Sequence, residues 1–474
     1  MSPSLDERHA LQLARAEAHG QTHVFAHWNA LDEAARADLL GELEAVDYDL
    51  TARLAALLMG DQASSSPELA APELFPLERD AAYAASATEA MAQGAERLAA
   101  GKVGFMIVAG GQGSRLGFDG PKGCFEIGPV TGRSLFEWHA RRLIAAGRRH
   151  GFTPAWYVMT SPANDGPTRA FFAEHDHFGL GADNVRFFSQ AMLPAMDLGG
   201  RILMSGPGSL FLAPNGHGGS LAALASSGAL ADMRSRGIET ISYFQVDSPL
   251  ARPADTLFLG LHSQSGAGMS SKVVSKRDAG EKVGVLGLID GAMGCIEYSD
   301  LSEELRSACG DDGQLLFRAG NIAVHALEVS FVEGLTAGGD LDLPWHIARK
   351  RMAVFAADGS TTEVEGAKFE TFVFDALGKS PVSVTLEVDR AVEFSPVKNK
   401  DGSDSADSCR RDLTKLFTGW LARGGLEPGD GFVEVDPLFA EDGDEFEEQL
   451  DMGAHHRELE AGLLFEDDGT PGSA

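Results

Sequence analysis

Apolar residues return along this chain in two rhythms. From residue 5 to about 60 they come back every three to four positions. In Leu31–Val46 this puts Leu31, Ala35, Leu39, Leu43 and Val46 near one helical face. The stretch Ser64–Arg79 carries three prolines and a serine run, which predicts an irregular connection. From Lys102 onward short apolar runs alternate with helical stretches, the pattern of an α/β core with a parallel or mixed sheet. Val103–Ala109, Ala155–Ser161, Val185–Gln190 and Thr240–Asp247 read as strands, the last three ending in polar groups. Ser134-Leu-Phe-Glu137 reads as a capping box opening a helix to about Arg149 that stops near Gly151. KVVSK, VGVLGLID and GCIEYSD look like a second strand set covering the other side. After Val388 the pattern loosens, and the acidic tail past Gly429 predicts a small terminal unit with a frayed end. These shifts divide the chain into a helical region at 1–100, a core at 101–388 and a C-terminal domain at 389–474.

Composition narrows the class. At 474 residues, 44% hydrophobic and 23% charged, the chain is ordinary for a globular protein. It has no apolar run long enough to span a membrane, and its first residues lack a signal-peptide core, so a cytoplasmic setting is expected. Cys124, Cys295, Cys309 and Cys409 lie far apart, which suggests neither a metal knuckle nor a disulfide framework. The net charge of −31 argues against nucleic acid and against anionic membrane surfaces as partners. In so acidic a chain, a phosphate site has to be built from a local group of cations. Arg115, Lys122, Lys398 and Lys368 are the candidates, and much of the surplus acid reads as solvated surface.

The stretch VGFMIVAGGQGSRLGFDGPKG, Val103–Gly123, holds the strongest chemistry. Its apolar run predicts a buried strand that ends in a loop with Gly110, Gly111 and Gly113. Such glycines can take φ > 0 and let backbone N–H groups close around an anion. Arg115 adds a planar fork and Lys122 a compact ammonium, which together suit a triphosphate. Two commoner motifs fail here. A dinucleotide fingerprint counted from Gly111 meets Leu116 at its third glycine, and a hydrolase phosphate loop ending at Gly378-Lys-Ser380 has Val373 at its first.

Other constellations are weaker, and each has a plainer explanation. Asp247 at a strand end suits Mg²⁺ near phosphates, or simply caps the turn before Pro249. Pro214-Asn-Gly-His-Gly-Gly219 precedes a helical stretch, where Gly216 and His217 suit a base or a sugar, or form a linker. Glu297 and Asn321 are polar residues in or beside apolar strands, fit for sugar hydroxyls or for internal hydrogen bonds. Phe372 and Phe374 alternate along FVFD, so they share one side of a strand as a pocket wall or as core. Gln190, Asp247 and the glycine loop all sit at strand ends, where open α/β sheets bind ligands in one crevice. No arrangement calls for a covalent nucleophile, which fits nucleotidyl transfer.

The loop AGGQGSRLGFDGPKG resembles the G-G-x-G-x-R-L…P-K signature of sugar nucleotidyltransferases. FFSQAMLPAM (187–196), VDSPLARPAD (246–255), SSKVVSK (270–276), VGVLGLIDG…CIEYSD (283–300), FRAGNIAVH (317–325), KFETFVFD (368–375) and EFSPVKN (393–399) narrow the resemblance to the eukaryotic-type UDP-N-acetylhexosamine pyrophosphorylases. It implies a Rossmann-like, GT-A-like mixed sheet and a Mg²⁺-assisted uridylyltransferase acting on UTP and a sugar 1-phosphate, most simply N-acetylglucosamine or N-acetylgalactosamine 1-phosphate. It further implies that Gln190 and the backbone at Gly111 and Gly216 read uracil, while Arg115 and Lys122 hold the triphosphate, with Lys398 near the phosphates. Asp247 would ligate Mg²⁺, Glu297 and Asn321 the sugar hydroxyls, and Phe372 and Phe374 would flank the N-acetyl group. One position departs: Gly216-His-Gly-Gly219 stands where the family has G-N-G-G, and a histidine there resembles the UDP-glucose and UDP-sugar pyrophosphorylases. A non-acetylated hexose 1-phosphate is therefore the alternative acceptor, and a silent UDP-sugar binding protein the alternative function.

Overall fold

Nine strands from the alternating region, joined by a short one at 69–70 inside the stretch expected to be irregular, build one sheet in the computed structural model, which describes residues 3–60, 67–339, 341–452, 457–459 and 461–466. They are β1 (Leu69–Ala70), β2 (Val103–Val108), β3 (Trp156–Thr160), β4 (Val185–Ser189), β5 (Thr240–Gln245), β6 (Met269–Ser275), β7 (Val285–Ile289), β8 (Ala292–Ile296), β9 (Ala319–Glu328) and β10 (Thr385–Val388). The main path runs β1-β7-β9-β5-β2-β3-β4. The stretch β5-β2-β3-β4 is parallel, and β9 closes antiparallel on β5. The chain steps from β2 through β3 to β4 on one flank, then returns to the other flank of β2 with β5. Strand order therefore reverses between β2 and β5, and such a switch opens a crevice beyond the carboxyl ends.

Burial explains why these runs are strands. Phe105, Ile107, Trp156, Val158 and Phe244 are fully buried, since crossover helices cover the parallel part and leave no solvated face. One crossover is α1 (Leu135–His150). The Ser134 hydroxyl accepts the Glu137 N–H at 3.1 Å and Gly151 closes the helix at φ 73°. Only half of the predicted capping box forms, because the Glu137 carboxylate turns to Arg133 and Arg141 instead.

The chain divides into two compact units. One holds the sheet and is assembled from residues 67–189, 221–341 and 374–474. The other draws on residues 1–66, 190–220 and 342–373. In the second, the N-terminal periodicity folds as helices Leu5–Ala18, Glu33–Glu44 and Tyr48–Met59. Leu39 and Leu43 pack with Ile202, Met204 and Leu210, while Leu54 and Leu58 pack on Met196 and Phe369. A long hairpin, His346–Phe355 against Thr361–Glu370, completes this unit.

The acidic C-terminal region is not all solvated surface. Glu434 and Asp436, at 0% and 1% side-chain exposure, bind Arg133 at 3.1 Å each. Glu434 also accepts the backbone N–H groups of Val130 and Thr131 at 2.7 and 2.9 Å. Glu434 belongs to strand Phe432–Val435, helix Gly443–Asp451 follows, and the predicted frayed end, 467–474, lies outside the described residues.

Candidate functional site

The glycine loop leaves β2 at the switch point and is closed by its own backbone. Gly113 N–H donates to Gly120 at 2.9 Å, and Lys122 N–H donates to Gly111 at 3.1 Å. Contrary to expectation, none of Gly110, Gly111 and Gly113 adopts a positive φ; the left-handed positions are Gly117 and Gly120. What demands glycine at 113 is space. A Cβ there would sit 2.6 Å from Phe118 Cδ1, so any side chain would push the turn open. Two residues that the sequence did not single out pin the loop. Asn164, fully buried beyond β3, donates through Nδ2 to Ala109 at 2.8 Å and Gly111 at 3.2 Å. The Ser161 hydroxyl donates to Gly110 at 2.8 Å. Both follow β3 on the edge of the crevice, and nothing in the local sequence marks them beyond their position at a strand end.

Lys122 and Asp247 come from opposite sides of the switch and meet. Nζ lies 2.9 Å from Asp247 Oδ2, and the two side chains are only 16% and 18% exposed. The Asp247 carbonyl accepts the Val397 N–H at 2.7 Å, which ties the segment bearing Lys398 to the same spot. Lys398 itself is exposed, with its ammonium 5.8 Å from the Phe394 ring centroid. Arg115 is exposed on the turn Ser114–Leu116. Lys400, unpredicted, runs its stem past Gly117 as a further cation beside the loop. Lys368 lies elsewhere, in the helical unit, 5.3 Å from the Phe211 ring centroid. Behind the site, buried His139 of α1 donates Nε2–H to the Val246 carbonyl at 3.1 Å, and burial pulls its pKa down to about 4.

Glu297 and Asn321 come together around Cys295. Asn321 Nδ2 lies 3.9 Å from the Cys295 sulfur, and burial with the nearby Glu297 charge pushes that thiol up to about 12. Asn321 sits where the pairing of β6 with β9 slips register. Its Oδ1 accepts the Ala323 N–H at 2.9 Å and so supports Ala323 at φ 55°, a conformation uncommon outside glycine. Ile322 and Ala323 fall out of that ladder while Asn321 stays paired with Val273, and alternation along an apolar run gives no sign of the bulge. Glu297 is exposed just past β8.

In the helical unit, Met192–Pro194 pairs with Leu212–Pro214, so Gln190 and Gly216 flank one end of a short ribbon. Gln190 is buried. Gly216 has φ 81°, and a Cβ there would sit 2.3 Å from the Thr371 carbonyl oxygen, so this loop is built and not a flexible linker. His217 Nδ1 accepts the Val373 N–H at 3.1 Å, which places the ring proton on Nε2. Its ring lies 5.2 Å from Phe372, and Phe372 lies 4.5 Å from His346, a third aromatic that the sequence did not flag. The predicted FVFD strand does not form. The hairpin strand ends at Glu370 and a 3₁₀ turn runs Val373–Lys379, so Phe372 and Phe374 do not alternate on a strand face.

Among the described residues no group of three or more His, Cys, Asp or Glu side chains could hold a metal ion. One carboxylate at the switch point still suits Mg²⁺, which takes one or two protein carboxylates and fills its shell with water and substrate phosphates. No helix of the described residues is long and apolar enough to cross a membrane.

The family model described as UTP--glucose-1-phosphate uridylyltransferase matches residues 59–413. The chain is 35% identical over 448 residues to the UDP-N-acetylglucosamine pyrophosphorylase of Saccharomyces cerevisiae, covering 88% of this chain and 92% of that one. It is 33% identical over 476 residues to UDP-N-acetylglucosamine diphosphorylase 2 of Arabidopsis thaliana, covering 94% and 92%. The crystal structure of the Trypanosoma brucei UDP-N-acetylglucosamine pyrophosphorylase superposes with a TM-score of 0.81 at 26% identity over 99% of both chains. The chain thus belongs to the UTP--glucose-1-phosphate uridylyltransferase family and, within it, to the UDP-N-acetylhexosamine pyrophosphorylases.

Proposed function

We propose that this uridylyltransferase makes UDP-N-acetylglucosamine and pyrophosphate from UTP and N-acetylglucosamine 1-phosphate. The observation that carries the reading is the meeting of Lys122 and Asp247 at the strand-order reversal, under a glycine loop. A phosphate oxygen of the sugar 1-phosphate attacks the α-phosphorus of UTP in line, and the bond to the β-phosphate oxygen breaks to release pyrophosphate. Little covalent chemistry is asked of the protein; positioning and charge neutralisation do the work. Lys122 and Arg115 take the triphosphate and the charge that develops on departing pyrophosphate, and Lys398 neutralises the acceptor phosphate. Gln190 and Gly216 are assigned to uracil, Glu297, Asn321 and His217 to sugar hydroxyls, and Phe372 and Phe374 to the N-acetyl group. Asp247 is the residue for Mg²⁺, which supplies Lewis-acid neutralisation of phosphate oxygens when bound.

His217 supports a second acceptor reading. With its proton on Nε2 it offers that edge as a donor only, where the amide of an asparagine offers donor and acceptor both. A pyrophosphate-release assay with UTP and Mg²⁺ against N-acetylated and plain hexose 1-phosphates separates the two. Preference for N-acetylglucosamine 1-phosphate is expected, and preference for glucose 1-phosphate overturns the acceptor assignment. No release with any pair overturns the reaction.

A further inference from the structure

Behind the catalytic face of the sheet unit lies a cavity of about 410 Å³ whose walls are charged. Three of its walls continue the segments that carry the site. Helix α1 follows Lys122, residues 252–257 follow Asp247, and residues 386–393 precede Lys398. The ionic groups there are mostly answered. Lys272, fully buried, contacts Asp255 and Glu393 at 2.6 Å each. Arg149 binds Asp442 at 3.3 Å and also Glu445, and Arg252 lies 3.5 Å from Asp442.

Arg142 is the exception. The residue is 4% exposed, and its Nε and Nη1 are buried with no hydrogen-bond partner. Burial draws its pKa down to about 10, so it stays cationic at neutral pH. A buried guanidinium without acceptors is costly, and native proteins rarely leave one unanswered. Opposite charge is near, since the Glu441 carboxylate is the leading electrostatic partner of Arg142, but the pair forms no contact. Burial raises the Glu441 pKa, and no side-chain hydrogen bond holds that carboxylate among the described residues. Arg142, with its unpartnered donors, and Glu441 thus line one space many times the volume of one water, where Arg252 and Arg149 also attract the carboxylate.

We propose that this cavity is a second ligand site, for a small hydroxylated oxyanion: Arg142 takes the anionic group and Glu441 a neighbouring hydroxyl. Phosphate esters and hydroxycarboxylates share this chemistry. Arginine suits both, because its fork of donors matches planar and tetrahedral oxyanions alike.

Calorimetric titration of the full chain with glucose 6-phosphate and with citrate, with glucose as the uncharged control, tests the site. Saturable one-to-one binding of at least one anion is expected, with glucose silent. Binding of only one anion names the source as ester or carboxylate. The Lys122→Met variant should bind as wild type does, whereas Arg142→Met should bind at least about tenfold more weakly, the loss of one charge-assisted pair. Because Arg142 is buried, two readouts stand apart from that variant. Glu441→Gln should also weaken binding, and hydrogen exchange of the wild type should show new protection in residues 135–150 and 252–257. The proposal is overturned if neither anion binds the wild type, which would leave ordered water as the partner of Arg142. It is equally overturned if binding disappears with Lys122→Met, or if Arg142→Met or Glu441→Gln binds as tightly as wild type.

Discussion

Replacing Lys122 with methionine keeps the length and apolar stem of the side chain and removes one positive charge from the switch point. At 2.9 Å from Asp247, the ammonium sits in a partly enclosed spot. At an effective dielectric near 20, a unit charge at that distance interacts by about 6 kcal/mol before desolvation is subtracted. Only the part that grows as pyrophosphate departs counts toward rate, and donors placed on developing oxyanion charge contribute about 3–4 kcal/mol. Turnover at saturating UTP and N-acetylglucosamine 1-phosphate should therefore fall about 100- to 1,000-fold. Stability should change far less. The ion pair is partly exposed, and what the fold loses is about 1 kcal/mol, with Asp247 left free to recruit water. The assay pairs coupled pyrophosphate release with urea unfolding of the same sample. A variant within tenfold of wild-type turnover, with its unfolding midpoint unchanged, refutes the role given to Lys122. Recovery by Lys122→Arg would show that charge alone suffices and that the compact ammonium is not required.

Three further outcomes follow from the geometry. Asn164→Ala removes both side-chain bonds to the glycine-loop carbonyls and should cost about 2–4 kcal/mol in urea unfolding, with a raised KM for UTP; unchanged KM would dissociate the clamp from nucleotide binding. Arg133→Met leaves Glu434 buried without its cation, while Asp436 keeps Arg141 at 2.7 Å, and should cost about 3–5 kcal/mol, so a loss below 1 kcal/mol would mean that water reaches Glu434. Buried His139, with a pKa near 4 in the fold against 6.5 in the free side chain, should make stability pH-dependent. Its contribution is complete above pH 6.5. Between 6.5 and 4 the unfolded chain takes up a proton that the folded chain refuses, so stability falls on acidification by up to about 3 kcal/mol. His139→Gln keeps a donor for Val246 and should flatten this slope in unfolding curves taken across that range; an identical slope in the variant would assign it to other groups.

What sequence could and could not disclose divides along physical lines. Strands β2, β3 and β5 were legible because burial on both faces forces apolar runs, and α1 was legible because its start and stop rest on local chemistry at Ser134 and Gly151. Asp247 and the glycine loop were legible as strand ends. The FVFD strand failed because alternation over four residues is too short to outweigh the turn that begins at Val373. The clamp by Asn164 and Ser161, the bulge next to Asn321, and the burial of Glu434 and Asp436 all depend on partners distant in the chain. No window of neighbouring residues contains that information.

The segmental make-up of the two units has a consequence for how the protein comes into being. The helical unit begins at the N-terminus yet needs residues 342–373 to finish its hairpin, and the sheet waits for β10 at residues 385–388. On the ribosome neither unit can be completed until more than three-quarters of the chain has emerged: the Leu31–Val46 face meets Ile202, Met204 and Leu210 and the parallel strands pair by residue 245, but the hairpin and β10 arrive only later. Completion of the fold should be a late event. Chaperone dependence would then track the time spent waiting for residues beyond 373, and a ribosome stalled at residue 340 should display a helical unit that lacks its hairpin and is more open to protease than in the released chain.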